Sequence, residues 1–347
     1  MQTPGNIKVL VVDDSAFMRK VISDILKSNP AISAVETAFN GEAALKKLRE
    51  FNPDVITLDI EMPGMNGIDT LQEIMKIKNI PVIMCSSLTR SGAEITIKAL
   101  ELGAFDFIEK PASPTGDKVN ILEKDIINKV LAAASSKMIS VKKVETYIRP
   151  NLTNLNPSGK KNKLLIISSS TGGPQALKEV VPYLPEDIPA KILIVQHMPE
   201  KFTEMFAQRL DKMSKIKVKE AKHGDILTTG AALLAPGNFH MIITEKGEVS
   251  LNQEPSVLGV RPCADLTIAS AAKVYQKDVI CVILTGMGHD GTQGAGIVKK
   301  YGGYCIAEHE STCIVYGMPK SAVTAGHADE VTPLHKIAES IIKAVYN

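Results

Sequence analysis

The run Leu164-Leu165-Ile166-Ile167-Ser168-Ser169-Ser170-Thr171-Gly172-Gly173-Pro174 constrains the fold more than any other stretch of the chain. Its first half is apolar and branched, with the length of one strand buried on both faces. Its second half is a tight turn of small residues. A helical pattern, Pro174-Gln-Ala-Leu-Lys-Glu-Val-Val, follows at once, with proline in the first turn. A strand running directly into a helix belongs to a parallel sheet. Ser170 and Thr171 then sit in the loop at the strand's carboxyl end, the edge of an open α/β sheet where ligands bind. Three readings of this loop are open. Its serines could cap the helix, its backbone N–H groups could cradle a phosphate, or Ser170 could be a nucleophile. The cradle lacks the G-x-G-x-x-G and G-x-x-x-x-G-K-[ST] spacings, and the loop is not a G-x-S-x-G elbow. A base and an orienting carboxylate on neighbouring strands would decide the matter.

The same grammar runs through residues 1–137. Apolar strand-like runs at Ile7–Val12, 34–38, 54–59, 80–85 and 105–108 alternate with helical periodicity. Strict β/α alternation predicts a doubly wound parallel sheet. Its carboxyl edge collects Asp13 and Asp14, Asp59, Ser86 and Lys110. Gathered carboxylates repel one another unless a cation lies between them. Hard oxygen ligands suit Mg²⁺, which keeps positions open for a phosphate. Asp59 could then act as a carboxylate nucleophile towards phosphorus, with Ser86 and Lys110 holding the phosphoryl oxygens.

Residues 138–162 lose periodicity and gather Pro, Asn, Gly and scattered Lys, as a connector does. From 163 to 347 the β/α pattern resumes, with a hairpin expected around Lys246-Gly247. His197 follows the apolar run 190–196, and Asp290 follows the run 278–284. Ser, His and Asp delivered to one sheet edge is the arrangement a catalytic triad needs. His289, beside Asp290, is a rival base. Gly172-Gly173 and Gly286-Met287-Gly288 offer two sets of backbone donors for an oxyanion.

Composition narrows the function classes. The 347 residues carry 40 basic and 38 acidic side chains, a net charge of +2, which gives no reason to expect nucleic acid as a partner. No run of about 18 apolar residues exists, so no membrane insertion is expected. With no signal-peptide pattern either, a cytoplasmic protein is the expectation. Cys85, Cys281 and Cys305 lie in apolar runs and read as buried thiols; with no C-x-x-C among the five cysteines, a zinc site is not expected.

The motifs Asp13-Asp14, Asp59, Met62-Pro-Gly-Met-Asn-Gly67, Ser86 and Lys110-Pro111 resemble the receiver domain of two-component response regulators. The resemblance implies a flavodoxin-like fold with Asp59 phosphorylated by a histidine kinase. It also implies Mg²⁺ held by Asp14, Asp59 and the Glu61 carbonyl, with Asp13 helping through water. Phe107 falls at the family's switching aromatic.

Ser-Thr-Gly-Gly-Pro after a strand, Gln196-His197-Met-Pro199, Arg261-Pro262 and Leu284-Thr-Gly-Met-Gly-His-Asp-Gly291 resemble the catalytic domain of chemotaxis protein-glutamate methylesterases. That family places a receiver in front of a Rossmann-like hydrolase domain. The resemblance implies Ser170 as nucleophile, His197 as base and Asp290 as orienting acid, with Thr171 and Met287 as transition-state contacts. Arg261 is a candidate contact for a substrate carboxylate. The implied reaction is hydrolysis of glutamate γ-methyl esters, and deamidation of glutamines, on methyl-accepting chemoreceptors. No cofactor is implied in that domain. His289 departs from the family pattern, where Asn is expected.

Overall fold

The computed structural model describes residues 5–87, 89–110, 117–136 and 163–346. The connector at 138–162 and Pro111 lie outside them. The chain divides into two compact units, Met1–Ser140 and Val141–Asn347.

The first unit alternates β1 (Ile7–Val12), α1 (Ala16–Lys27), β2 (Ile32–Ala38), α2 (Gly41–Phe51), β3 (Val55–Asp59), α3 (Gly67–Ile77), β4 (Val82–Ser87), α4 (Arg90–Glu101), β5 (Asp106–Lys110) and α5 (Asp117–Ser135). The strands pair in parallel in the order β2-β1-β3-β4-β5. Helix starts are fixed by short polar side chains: Ser15, Asn40, Asn66 and Thr89 each accept a first-turn N–H. Every residue of β3 is buried, as a central parallel strand requires.

The second unit begins with β6 (Lys163–Ser169), α6 (Gly173–Val180), β7 (Ala190–Gln196) and α7 (Phe202–Met213). Short strands β8 (Lys217–Glu220), β9 (Ala231–Leu234), β10 (His240–Ile243) and β11 (Val249–Asn252) follow. The chain closes with α8 (Ala264–Tyr275), β12 (Val279–Ile283), α9 (Thr292–Lys300), β13 (Tyr304–Glu308), α10 (Met318–Thr324), β14 (Glu330–Thr332) and α11 (Leu334–Tyr346). Seven of these strands form one parallel sheet in the order β14-β13-β12-β6-β7-β9-β8. Strands β10 and β11 pair antiparallel apart from it. Helix α10 and strand β14 were not anticipated. With seven and three residues, and with Gly317 and Pro319 at the helix start, they are too short to show a period.

One feature of this sheet positions the site. From β6 the chain winds to β7 on one side, and from β12 it winds to β13 on the other. Such a reversal marks the carboxyl ends of β6 and β12 as the place where open α/β sheets bind ligands. Beneath it Leu164, Leu165, Ile166 and Ile167 of β6 are wholly buried.

Candidate active site

Strand register brings Ser170 and His197 to the same level. Ser169 and Gln196 are paired across β6 and β7, and the His197 N–H donates to the Ser169 carbonyl at 3.1 Å. Asp290 reaches in from the loop after β12. Its Oδ2 lies 2.7 Å from His197 Nε2. The Asp290 carboxylate is almost wholly buried, and backbone amides surround it. It accepts from Ala264 at 2.6 Å, from Asp265 at 2.8 Å and from Gly291 at 2.9 Å, with the Cys263 thiol 3.1 Å away. Burial alone would raise its pKa, but the bond to His197 and the amides outweigh it and hold the group at about 2. Asp290 is therefore an anion whose field and acceptor fix the His197 ring, leaving Nδ1 as the other ring nitrogen.

Ser170 is half-buried at the turn. Its N–H donates to the Thr285 carbonyl at 3.1 Å, and its carbonyl accepts from Gln196 Nε2 at 2.9 Å and from the Gly173 N–H at 2.8 Å. Among the described residues its hydroxyl makes no hydrogen bond. Helix α6 has no side-chain cap, so the capping reading of the serines is not what the loop does. Gly172 has φ of +78°, and a Cβ there would stand 2.7 Å from Ile314.

The two donor sets expected for an oxyanion are corrected in part. The Gly173 N–H is taken by Ser170, and the Gly286 N–H by the Val315 carbonyl at 3.1 Å. The N–H groups of Gly172 and Met287 have no partner among the described residues. Thr171 is buried beside them. Arg261 is partly buried and held by neutral acceptors. Its guanidinium donates to the Gln253 carbonyl at 2.9 Å, the Glu254 carbonyl at 2.7 Å and Asn238 Oδ1 at 2.6 Å, tying two loops together. His289 is exposed and makes no bond to Ser170 or Asp290; it lines a shallow groove of about 500 Å³ with Lys320.

In the first unit Asp13, Asp14 and Asp59 place oxygens within 4.8 Å of one another at the β1 and β3 edges. Lys110 Nζ bridges Asp13 at 2.6 Å and Asp59 at 2.7 Å. Burial, with Asp13 adding to it, lifts Asp59 to about 6 despite that lysine. Ser86 is turned towards α4, accepting from the Thr96 hydroxyl at 2.7 Å and donating at 3.3 Å to the Gly92 carbonyl. The Glu61 N–H lies 3.4 Å from Asp59 Oδ1, and the Glu61 side chain accepts from Ser87. Phe107 is buried, with the Lys129 ammonium 5.4 Å from its ring centre.

Comparison with known proteins finds relatives of both units. Residues 165–341 match the family described as CheB methylesterase, and residues 9–116 match the response regulator receiver domain. Over 98% of its length the chain is 47% identical to a protein-glutamate methylesterase/protein-glutamine glutaminase of Pyrococcus horikoshii, covering 94% of that protein. This chain belongs to the CheB methylesterase family. A second methylesterase of that name, from Thermotoga maritima, is 45% identical over 98% of both chains. The crystal structure of the Thermotoga maritima CheB methylesterase catalytic domain covers 52% of this chain and 98% of its own, at 47% identity and a TM-score of 0.51.

Several residues that build this candidate site carry no role in the sequence analysis. Gln196 accepts the Ser169 hydroxyl at 2.7 Å and donates to the carbonyls of Ser170 and His197, binding the two loops together. A buried amide at a strand end, next to the histidine, was the available signal. Cys263 and Thr285 gave none, because nothing in their local sequence tells which loop they touch.

Proposed function

We propose that this chain hydrolyses glutamate γ-methyl esters, and deamidates glutamines, on methyl-accepting chemoreceptors, under control of phosphorylation at Asp59. The observation that carries the reading is the 2.7 Å contact of His197 with Asp290, one residue of register from the Ser170 turn. Ser170 Oγ attacks the ester carbonyl while His197 Nδ1 takes its proton. The oxyanion is received by the Met287 N–H and the Thr171 side of the loop. Collapse of the tetrahedral species expels methoxide, which leaves as methanol with the proton from His197. Water, deprotonated by the same ring, then attacks the acyl-enzyme and frees the glutamate carboxylate and Ser170. With glutamine the leaving group is ammonia.

In the receiver, Asp13, Asp14 and Asp59 form a hard-oxygen set that fits Mg²⁺, to which the Glu61 carbonyl would be added by the family resemblance. The bound ion supplies positive charge at the phosphoryl oxygens. Asp59 takes the phosphoryl group from a chemotaxis histidine kinase, Lys110 holds one of its oxygens, and Ser86 gives up its bond to Gly92 to hold another. In this reading the enzyme works in the cytoplasm, beside its kinase and the receptor segments it acts on. No helix of the described residues is long and apolar enough to cross a membrane. The test is methanol release from methylated receptor, with and without a small phosphodonor. Release by wild type and its loss in Ser170→Ala support the reading. Wild-type-like release by that variant moves the nucleophile elsewhere.

A further inference from the structure

Glu308 ends β13, next to β12, and its side chain is wholly buried. Its Oε2 accepts the Thr285 N–H at 2.8 Å, while its buried Oε1 has no hydrogen-bond partner. A buried carboxylate with an unpartnered oxygen costs stability, so an apolar or amide side chain would serve packing better. What Glu308 holds is the junction of the site. The Thr285 carbonyl accepts the Ser170 N–H at 3.1 Å. The Thr285 hydroxyl donates to the Thr171 carbonyl at 3.0 Å and accepts the Val315 N–H at 2.9 Å. The next residue, Gly286, passes so close to the nucleophile that a Cβ on it would stand 2.8 Å from the Ser170 Cβ. Thr285 thus joins the Ser170 turn to the loop carrying Met287.

We infer that Glu308 is a positioning residue for the hydrolysis, fixing through Thr285 the distance between the Ser170 turn and the Met287 loop. The inference rests on Ser170 being the nucleophile. An ionised carboxylate grips an amide N–H about twice as strongly as a neutral acceptor does. The protonated acid grips Thr285 less. Burial pushes the Glu308 carboxyl up to about 7, opposed first by the Thr285 amide and then by the nearby Thr312 and Cys313 side chains. Those groups face it from the β12 edge and from the segment after β13; Thr332 is its register partner on β14. The helices packed on β13 bury apolar side chains such as Val298, Met318 and Ile341. No ion pair to Glu308 forms among the described residues.

The experiment uses the full-length chain and reads kcat and KM for methanol release across pH, beside thermal melting. Glu308→Ala is expected to lower kcat about tenfold or more with KM within about twofold, because misplacement by an ångström costs that much. Glu308→Gln, which keeps an acceptor for Thr285, is expected to regain most of that loss at low pH. Its acid limb should be shallower than that of wild type, since only the base then titrates. A Glu308→Ala enzyme that melts lower but keeps wild-type kcat per folded molecule would make Glu308 merely structural and overturn the inference. Should that variant not fold, Glu308→Gln decides alone, and an acid limb identical to wild type overturns it. Ser170→Ala, run in parallel, reports on the nucleophile independently: turnover there sinks the triad and not the Glu308 contact.

Discussion

A Cβ on Gly173 would stand 1.9 Å from Oε1 of Gln196, the atom that accepts the Ser169 hydroxyl. The glycine is therefore required by the close approach of the nucleophile turn to the β7 edge. Gly173→Ala is expected to push Gln196 off both Ser169 and Ser170. Overpacking of this kind costs about 1–3 kcal/mol, visible as a lowered melting temperature. Turnover should fall further than folded fraction does. A variant with unchanged melting and turnover would show that the turn yields without cost.

The second expectation concerns the triad as a unit. Ser170→Ala and His197→Ala should each remove methanol release to a similar degree, because the members of a triad are not additive. Neither should change phosphorylation of Asp59, which belongs to the other compact unit. His289→Ala should leave turnover within a small factor of wild type, since that ring is exposed and outside the Asp290 network. A larger loss in His289→Ala than in His197→Ala would reassign the base.

Asp290 makes a pH-dependent contribution to stability. Its folded pKa of about 2 lies below the ordinary 3.8, so the ionised group stabilises the fold fully above about pH 4. That contribution, about 2 kcal/mol from the shift, is lost as pH falls from about 4 to about 2. Denaturant midpoints of wild type and Asp290→Asn should therefore differ near neutrality and converge in acid. A gap that stays constant down to the acid limit would contradict the charge-based origin. At neutral pH the same variant should lower kcat by about 10³–10⁴, as loss of the orienting anion does in serine hydrolases.

The receiver cluster predicts a cation response. Mg²⁺ should raise the melting temperature of the first unit, because binding only the folded state stabilises it. The rise should shrink in Asp14→Ala, which removes one oxygen ligand and leaves the Lys110 bridges to Asp13 and Asp59 in place. Asp59→Asn should take no phosphoryl group from kinase or phosphodonor. Labelling of that variant at the wild-type level would move the phosphoacceptor.

The sequence by itself determined the two parallel sheets and the residues that end their strands. Buried parallel strands must be apolar runs, and the polar residue that breaks each run marks the carboxyl edge, so Ser170, His197, Asp13 and Asp59 were legible one strand at a time. Only tertiary structure decided what those residues touch. Strand order is a long-range property: that β12 and β7 flank β6, and so bring Asp290 to His197, follows from packing and not from any local pattern. The same holds where the reading changed. The three loop acceptors of the Arg261 guanidinium lie 7 to 23 residues away in sequence, and the Gly173 and Gly286 N–H groups looked open until Ser170 and Val315 took them. Thr285, Gln196 and Glu308 act across strands, through hydrogen bonds whose partners are far apart in the chain, and local periodicity carries no record of such partners.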